Sequence, residues 1–494
     1  MKRALLINLP KTDLMVPPAA LGVLAGVCGE NNVDYDFLDF NVVLNSKFED
    51  EQWLVMDNWL TGVTDNCDAE VLSVISRSWK ESVIDSISKY DFICISVLSY
   101  WGLKIAMHLL SNLDFVNSKR NYKIVIGGGG CQNNIDGYAQ GKKSLGEWLL
   151  ENNYVDHVVY GDGETTFAEI LQGSKQTLLK PTAQQDDLDS YPIPNYKGIN
   201  FSDYKADAVF ITGSRGCVRK CSFCDIETIW PVFRYRKAEL IVAEIKKHYY
   251  DLGVERFEFT DSLINGSVSN FYKFNQLLAE EKAKNSDLKN ISYVGQFIAR
   301  PKHQMLPSHY EAMYYAGCKQ ITIGIESFSE RVRNEMKKKF SNRDIDYHIK
   351  QCALWGISNI WLMIVGYPTE SQEDHLDNIH GIKRYAPYAK TGVLEMIRWG
   401  ATLHYIDGTP LTRQHMLDRY QIYEPGNDSE IKPGSSYTWK AGINPDLTLQ
   451  ERIRRRLDLH KHTTKHRIPQ ARALEDLMIL NRMADSANNN STIH

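Results

Sequence analysis

The chain has 494 residues, 43% hydrophobic and 24% charged, with a formal net charge of -4. This is ordinary globular usage, long enough for about three domains, and its charge excludes overall attraction to nucleic acid or membrane, so any such contact needs a local patch. No apolar run approaches the roughly 18 residues of a membrane span, the apolar part of MKRALLINLPKTD is too short for a signal peptide, and nine cysteines without a secretory signal argue for reduced thiols. A cytoplasmic location with no membrane contact is expected.

Residues 1–182 alternate short apolar runs with helical patterns. Strands are expected at ALLINL (4–9), VDYDFLDF (33–40), FICISVL (92–98), YKIVIGG (122–128) and VDHVVYG (155–161), with helices around 18–30, 68–89, 102–112, 141–152 and 164–172. Such alternation implies an α/β fold that opens with a doubly wound, Rossmann-like domain, its parallel sheet covered on both faces and its ligands at the carboxyl ends of the strands. Two turns lie at such ends, Gly127-Gly128-Gly129-Gly130 and Gly161-Asp162-Gly163-Glu164. The first is neither a P-loop, since no Gly-Lys-Ser/Thr follows, nor GxGxxG.

Residues 183–204, AQQDDLDSYPIPNYKGINFSDY, lack periodicity and read as a linker. From 205 to 400, strand patterns recur at AVFITGS (208–214), ERFEFTD (255–261), ISYVGQFI (291–298), QITIGIE (320–326), NIWLMIVG (359–366) and GVLEMIRW (392–399), separated by helix-length amphipathic segments. Six such units predict a partial (β/α)6 barrel with its site at the C-terminal strand ends. Residues 401–494 are expected to form a mainly α-helical extension that shapes or lids the substrate site. Within it EPGNDSEIKPGSSYTW (424–439) reads as a long irregular loop and Asn444-Pro445-Asp446 as a helix start capped by Asp446. RIRRRLDLHKHTTKHR, Arg452 to Arg467, reads as a solvated basic helix face packed over the barrel through Ile453 and Leu457, with nucleic acid or an anionic substrate as the alternative occupant. DSANNNSTIH reads as a disordered tail.

The run GSRGCVRKCSFCDIE carries Cys217, Cys221 and Cys224. Three thiolates on one loop can hold three corners of a [4Fe–4S] cube and leave the fourth iron open. The alternatives are a zinc site, which would want a fourth Cys or His, and three unrelated packing thiols. The CxxxCxxC spacing, with Phe223 before the third cysteine, resembles the signature of the radical S-adenosylmethionine (SAM) superfamily, and the resemblance covers roughly 205–400. It implies that the free iron chelates the amino and carboxylate groups of SAM, which one electron splits into methionine and a 5′-deoxyadenosyl radical. Asp261-Ser262 then stand where a turn bonds the amino group of SAM, and Glu326-Ser327 where polar side chains reach the ribose hydroxyls. LMIVGYPTE (362–370), with Gly366, Thr369 and Glu370, stands where a GxIxG-like strand end holds adenine. A carboxylate can accept from both hydroxyls of a vicinal diol, which suits Glu326. Cys318 and Cys352 read as packing residues.

Ser96-Val97-Leu98 precede Gly127-Gly128 by 28 intervening residues. The two pieces resemble the SxL and GG motifs of the cobalamin (B12)-binding domain. PPAALGVLAG (17–26) and VVYGDGETTFAEIL (158–171) are similar to phrases in the first domain of cobalamin-dependent radical SAM enzymes. The resemblance implies cobalamin held by Ser96, Leu98, Gly127, Gly128, Gly161 and Glu164. The family's DxHxxG is missing, Asn8-Leu9-Pro10-Lys11 standing after the first strand, so no histidine from that motif would reach cobalt. The alternative is a Rossmann-like domain that keeps its fold and binds nothing.

Together these resemblances imply a cobalamin-dependent radical SAM methyltransferase acting on an unactivated carbon or phosphorus centre. A flavodoxin- or ferredoxin-type electron donor would serve it, and its small-molecule or peptide substrate is not written in the motifs. A cobalamin-assisted rearrangement or ring contraction remains open, as does cobalamin-free chemistry such as methylthiolation of RNA. The latter would call for a further cysteine set that the widely spaced Cys28, Cys67, Cys94 and Cys131 do not form. A non-catalytic cobalamin or nucleic-acid binding protein with a vestigial barrel is opposed by its three intact, oxidisable thiols.

Overall fold

The computed structural model describes every residue except 13, 63, 112–119, 133–142, 181–186, 404, 407, 424–438 and 471–494. The expected lid-like loop up to 438 and the polar tail thus lie outside the described residues. The chain packs as two compact units, Met1–Thr212 with Leu240–Thr260 and Gly213–Glu239 with Asp261–His494.

In the first unit β1 (Arg3–Asn8), β2 (Asp34–Asp39), β3 (Phe92–Ser96), β4 (Lys123–Gly127), β5 (His157–Val159) and β6 (Leu178–Leu179) form a sheet in the order β2-β1-β3-β4-β5-β6. All its pairs are parallel. Along β1, Leu5 and Ile7 enter one core with Phe40, Trp79 and Leu109, while Ala4 and Leu6 enter another with Leu21, Phe167 and Ile170. A strand apolar on both faces needs helices on both sides, and the doubly wound architecture follows. Helices Ala19–Glu30, Ala69–Ser82, Leu103–Ser111, Leu145–Glu151 and Gly163–Leu171 stand where the periodicity puts them. Two helices, Phe40–Asn45 and Asp50–Leu60, escape the sequence reading because Asn, Gln and acidic residues interrupt their apolar pattern. The strand order reverses at β1 and β3, whose carboxyl ends flank the crevice where open α/β sheets take ligands.

The second sheet is built from β7 (Ala208–Ile211), β10 (Arg256–Phe259), β11 (Ser292–Phe297), β12 (Cys318–Glu326), β13 (Ser358–Val365) and β14 (Leu394–Thr402). An antiparallel pair, β8 (Ser214–Arg215) with β9 (Arg234–Tyr235), brackets the cysteine loop. The order β14-β13-β12-β11-β10-β7 makes sequence neighbours spatial neighbours, as in a partial (β/α)6 barrel.

The C-terminal reading holds for the helix's packing and needs two corrections, to its cap and to its basic face. Helix Leu449–Lys465 packs on β14 and β13 and on helix Gln372–Lys390, over the barrel as the sequence suggests. Its cap is Thr448, whose Oγ1 accepts from Glu451 N at 3.2 Å, and not Asp446. Its basic face is turned inward: Arg452, Arg455 and Arg456 are buried beside Ile453 and Leu459. Burial is tolerated because carbonyls meet the guanidiniums, Trp439 O accepting from Arg452 at 2.8 Å and Trp399 O from Arg456 at 3.1 Å. Of the remaining basic residues in the run, Arg454 is ion-paired with Glu451, and Lys461, Lys465 and Arg467 are exposed. Three of the arginines that a cationic face on this helix would draw on are therefore withdrawn from its surface.

Candidate active site

The cysteine loop opens at Gly216, whose φ of +81° sets a turn so tight that a Cβ would lie 2.7 Å from Val232 O. Its middle is pinned through Ser222: the backbone N donates to Met336 O at 3.1 Å, the carbonyl accepts from Leu411 N at 2.9 Å, and the hydroxyl meets Tyr367 Oη at 2.9 Å. Phe223 is half-buried against the apolar group of Val332, Met336, Tyr367 and Leu403. Cys221 is buried and Cys217 and Cys224 half-buried. Burial pushes the Cys221 thiol up and that of Cys224 up to about 12; Cys217 adds to both, and Cys221 to Cys224. Thiols gathered this way become thiolates when metal supplies the opposing charge. Among the described residues no three His, Cys, Asp or Glu groups are close enough to hold a single metal ion. A cube asks for something wider, each thiolate taking a different iron.

Glu326 ends β12 at a register shift against β13, with φ +66°. Its carboxylate folds back over Gly324, where a Cβ would meet Glu326 Oε1 at 2.1 Å, and pairs with Lys338 Nζ at 3.0 Å. Burial lowers the Lys338 ammonium, but Glu326 and the neighbouring Cys221 outweigh it and the group is raised. This buried ion pair therefore sits at the cysteines. Lys338 escapes the sequence reading because Lys337-Lys338-Lys339 looks like a solvated run. Tyr367 escapes it because nothing local ties it to Ser222.

Other expected residues face inward. Asp261, 2% exposed, accepts from Gly213 N at 2.8 Å and Ser214 Oγ at 2.5 Å, and burial pushes its acid up to about 7. Both oxygens brace the entry to the cysteine loop instead of standing open to a ligand; Ser262 beside it is half-buried. Ser327 is buried with its hydroxyl on Asn378 Oδ1 at 3.1 Å. Gly366, at φ +85°, donates its N–H to Glu370 Oε2 at 2.8 Å, and Glu370, fully buried, receives Arg455 Nη1 on its other oxygen at 3.2 Å. Asn444 Nδ2 reaches the carbonyls of Pro368 and Glu370 at 3.2 and 3.0 Å, so this turn clasps the C-terminal segment. Thr369 remains half-buried with Oγ1 unpartnered.

In the first unit Ser96 and Gly127 are register partners at the ends of β3 and β4. Gly128, at φ +101°, would place a Cβ 2.4 Å from Val97 O, so the chain itself demands glycine there. Gly161 turns the chain at φ +71° after β5, and Glu164 is buried in the first turn of the following helix. Leu98 and Trp101 are exposed at 58% and 41%, an apolar pair beside the glycine turn that suits a large, flat, partly apolar group. After β1, Asn8 is buried and bonded to Thr12 and Asp39 at 3.0 and 3.1 Å.

Residues 211–380 match the family model of the Radical SAM superfamily. The chain is 27% identical over 314 residues, 60% of its length and 66% of the relative's, to the tRNA-2-methylthio-N(6)-dimethylallyladenosine synthase of Campylobacter hominis. It spans about two thirds or less of most curated relatives it matches, down to 41%. The fold is similar to that of the radical SAM methyltransferase TsrM from Kitasatospora setae with cobalamin and a [4Fe-4S] cluster bound, at TM-score 0.61 and 15% identity over 88% of this chain and 82% of that one. It is also similar to the cobalamin-dependent SAM radical enzyme OxsB with aqua-cobalamin and SAM bound, at TM-score 0.64 and 14% identity over 94% and 71%.

Proposed function

Residues 211–380 place this chain in the radical SAM superfamily, and from that premise we propose that it is a cobalamin-dependent methyltransferase acting on an unactivated carbon or phosphorus centre. The observation that carries the reading is the pinned three-thiol loop beside the buried Glu326–Lys338 pair. When bound, the cofactors supply the hard chemistry: the cluster gives the electron that cleaves SAM, and cobalamin the methyl group.

Cys217, Cys221 and Cys224 would hold the cluster. Lys338, kept charged by Glu326, suits the SAM carboxylate, while the second Glu326 oxygen is left to accept from the ribose. Phe223, Ser262 and Thr369, all half-buried, would line this end of the strands. Asp261, Ser327, Gly366 and Glu370 act as supports that position the loop and the strand ends. In the first unit Ser96, Leu98, Gly127, Gly128, Gly161 and Glu164 would hold cobalamin, without a histidine from the end of β1. The fold shared with TsrM and OxsB supports this assignment. Methylthiolation, named for the Campylobacter relative, has less support. Cys28, Cys94 and Cys131 are buried in apolar cores that push their thiols up, which leaves no second cysteine set open to a cluster.

Anaerobic reconstitution should load about four irons per chain, lost in the Cys217→Ala, Cys221→Ala, Cys224→Ala variant, and a strong reductant should then release 5′-deoxyadenosine from SAM. Hydroxocobalamin should stay with the protein through gel filtration and be lost from Leu98→Glu with iron unchanged. Protein that carries the cluster yet binds no cobalamin would sink the methyltransferase reading.

A further inference from the structure

The first unit has a cleft at the edge of its sheet opposite the glycine turns. Its volume is about 630 Å³, and it opens where Lys2, Phe92, Lys123 and His157 stand at or beside the first residues of β1, β3, β4 and β5. Four cations line it, Lys2, Arg120, Lys123 and Lys175, and among the described residues that line it the acid is Asp156. That carboxylate is already occupied. Its Oδ2 accepts from Ile124 N at 2.8 Å and Arg120 Nη2 at 2.9 Å, and its Oδ1 from Lys123 Nζ at 3.1 Å. Lys2 Nζ is held without acid, donating to Leu171 O at 2.9 Å with the Phe92 ring centroid 5.5 Å away. Lys175 is exposed.

Four positive charges against one negative leave a surplus of three in this cleft, within a chain whose net charge is -4. Helices Leu145–Glu151 and Gly163–Leu171 end beside it. The carboxyl end of a helix carries about half a negative charge, so about two positive charges remain for a ligand to meet. Phe92, Leu150, Val155 and Ile170 give the cleft an apolar wall, and its volume lies within the roughly 300–1,000 Å³ of small-molecule sites. We propose that it binds a phosphate monoester of nucleotide size, the dianionic phosphate among Lys2, Lys123 and Lys175 and the base on the apolar wall. Arg120, whose side chain is 15% exposed, ties up Asp156 and so keeps that acid from repelling the phosphate. The surplus charge selects a dianion over a neutral nucleoside, and the wall selects a flat, partly apolar body over a sugar. The site lies apart from the cysteine loop and from the glycine turns, and its assignment depends on neither cofactor.

The test is isothermal titration calorimetry of the full-length protein at low ionic strength, with AMP, adenosine, glucose 6-phosphate and inorganic phosphate as probes. AMP should bind with a dissociation constant below about 1 mM, glucose 6-phosphate and phosphate more weakly, and adenosine without measurable heat. AMP affinity should fall about tenfold in Lys123→Gln/Lys175→Gln and weaken as salt is raised. Lys47→Gln, which removes an exposed lysine of the same unit outside the cleft, should bind as wild type does. AMP binding that survives the double variant unchanged would belong to another site and overturn the proposal. Absence of AMP binding, adenosine or glucose 6-phosphate binding as tightly as AMP, or an equal loss in Lys47→Gln would also overturn it. Should the double variant misfold, Lys175→Glu decides alone, because the side chain is exposed: weakened AMP binding supports the proposal and unchanged binding refutes it.

Discussion

Arg455→Met removes the cation that compensates a fully buried carboxylate. Arg455 Nη1 donates to Glu370 Oε1 at 3.2 Å, Glu370 O at 3.0 Å and Ser371 O at 3.0 Å, and its Nε to Glu451 Oε1 at 2.8 Å. Methionine keeps much of the apolar stem, so the packing loss is small and the electrostatic loss dominates. Glu370 is left with the Gly366 N–H. Burial already pushes its acid up against Arg455 and that N–H. Removing one partner of a buried pair costs about 3–5 kcal/mol, and at about 2–4 °C per kcal/mol the second unit should melt roughly 6–20 °C lower. The sign of the pH dependence follows from the raised acid. Without Arg455 the folded acid titrates further above its unfolded value, so the deficit is smallest where Glu370 is protonated in both states and grows as pH rises through the raised value of the folded acid. Calorimetry at about pH 5.5 and 8 would show this, and Arg455→Met/Glu370→Gln, which removes the stranded charge, should recover at least half the loss. A single variant within about 2 °C of wild type at the higher pH, or a double variant as unstable as the single, would refute the reasoning.

Glu326→Gln keeps the shape of the residue over Gly324 but removes the charge that holds Lys338. SAM affinity of the cluster-loaded protein, measured by equilibrium dialysis, should weaken by about 1–2 kcal/mol, and an unchanged affinity would take Glu326 out of the site. Asp261, its acid pushed up to about 7 by burial, binds protons more readily folded than unfolded. That contribution is fully present below the ordinary carboxylate value and is lost as pH rises through about 7. Asp261→Asn cannot titrate, so its urea midpoint should vary less between about pH 5 and 8 than that of wild type, and superimposable profiles would show that Asp261 is not held neutral.

The sequence by itself determined the strands, the doubly wound first unit and the three-thiol loop, because each is written at short range. Period-2 and period-3.6 patterns report which faces are covered, and CxxxCxxC places three sulfurs on one turn of chain wherever that turn lies. The glycines at 127 and 128 were legible for the same reason, as a strand-end turn. What only the tertiary structure decided is which polar groups face a ligand and which face each other. Asp261, Ser327 and Glu370 read alike as open polar groups at strand ends, yet their oxygens are taken by Gly213 and Ser214, by Asn378, and by Gly366 and Arg455. The Arg452–Arg467 run read as a solvated face because charge density alone cannot announce that Trp439 O, Glu370 and Trp399 O wait 13 to 85 residues away to satisfy three of its arginines. Lys338 carries no local signal in the sequence, and only the fold brings Glu326 to it. A side chain's partners are fixed by which distant segments the cores bring together, and the free energy of burying a charge depends wholly on those partners, so local spacing identifies the chemistry a loop can carry but not the groups that hold it in place.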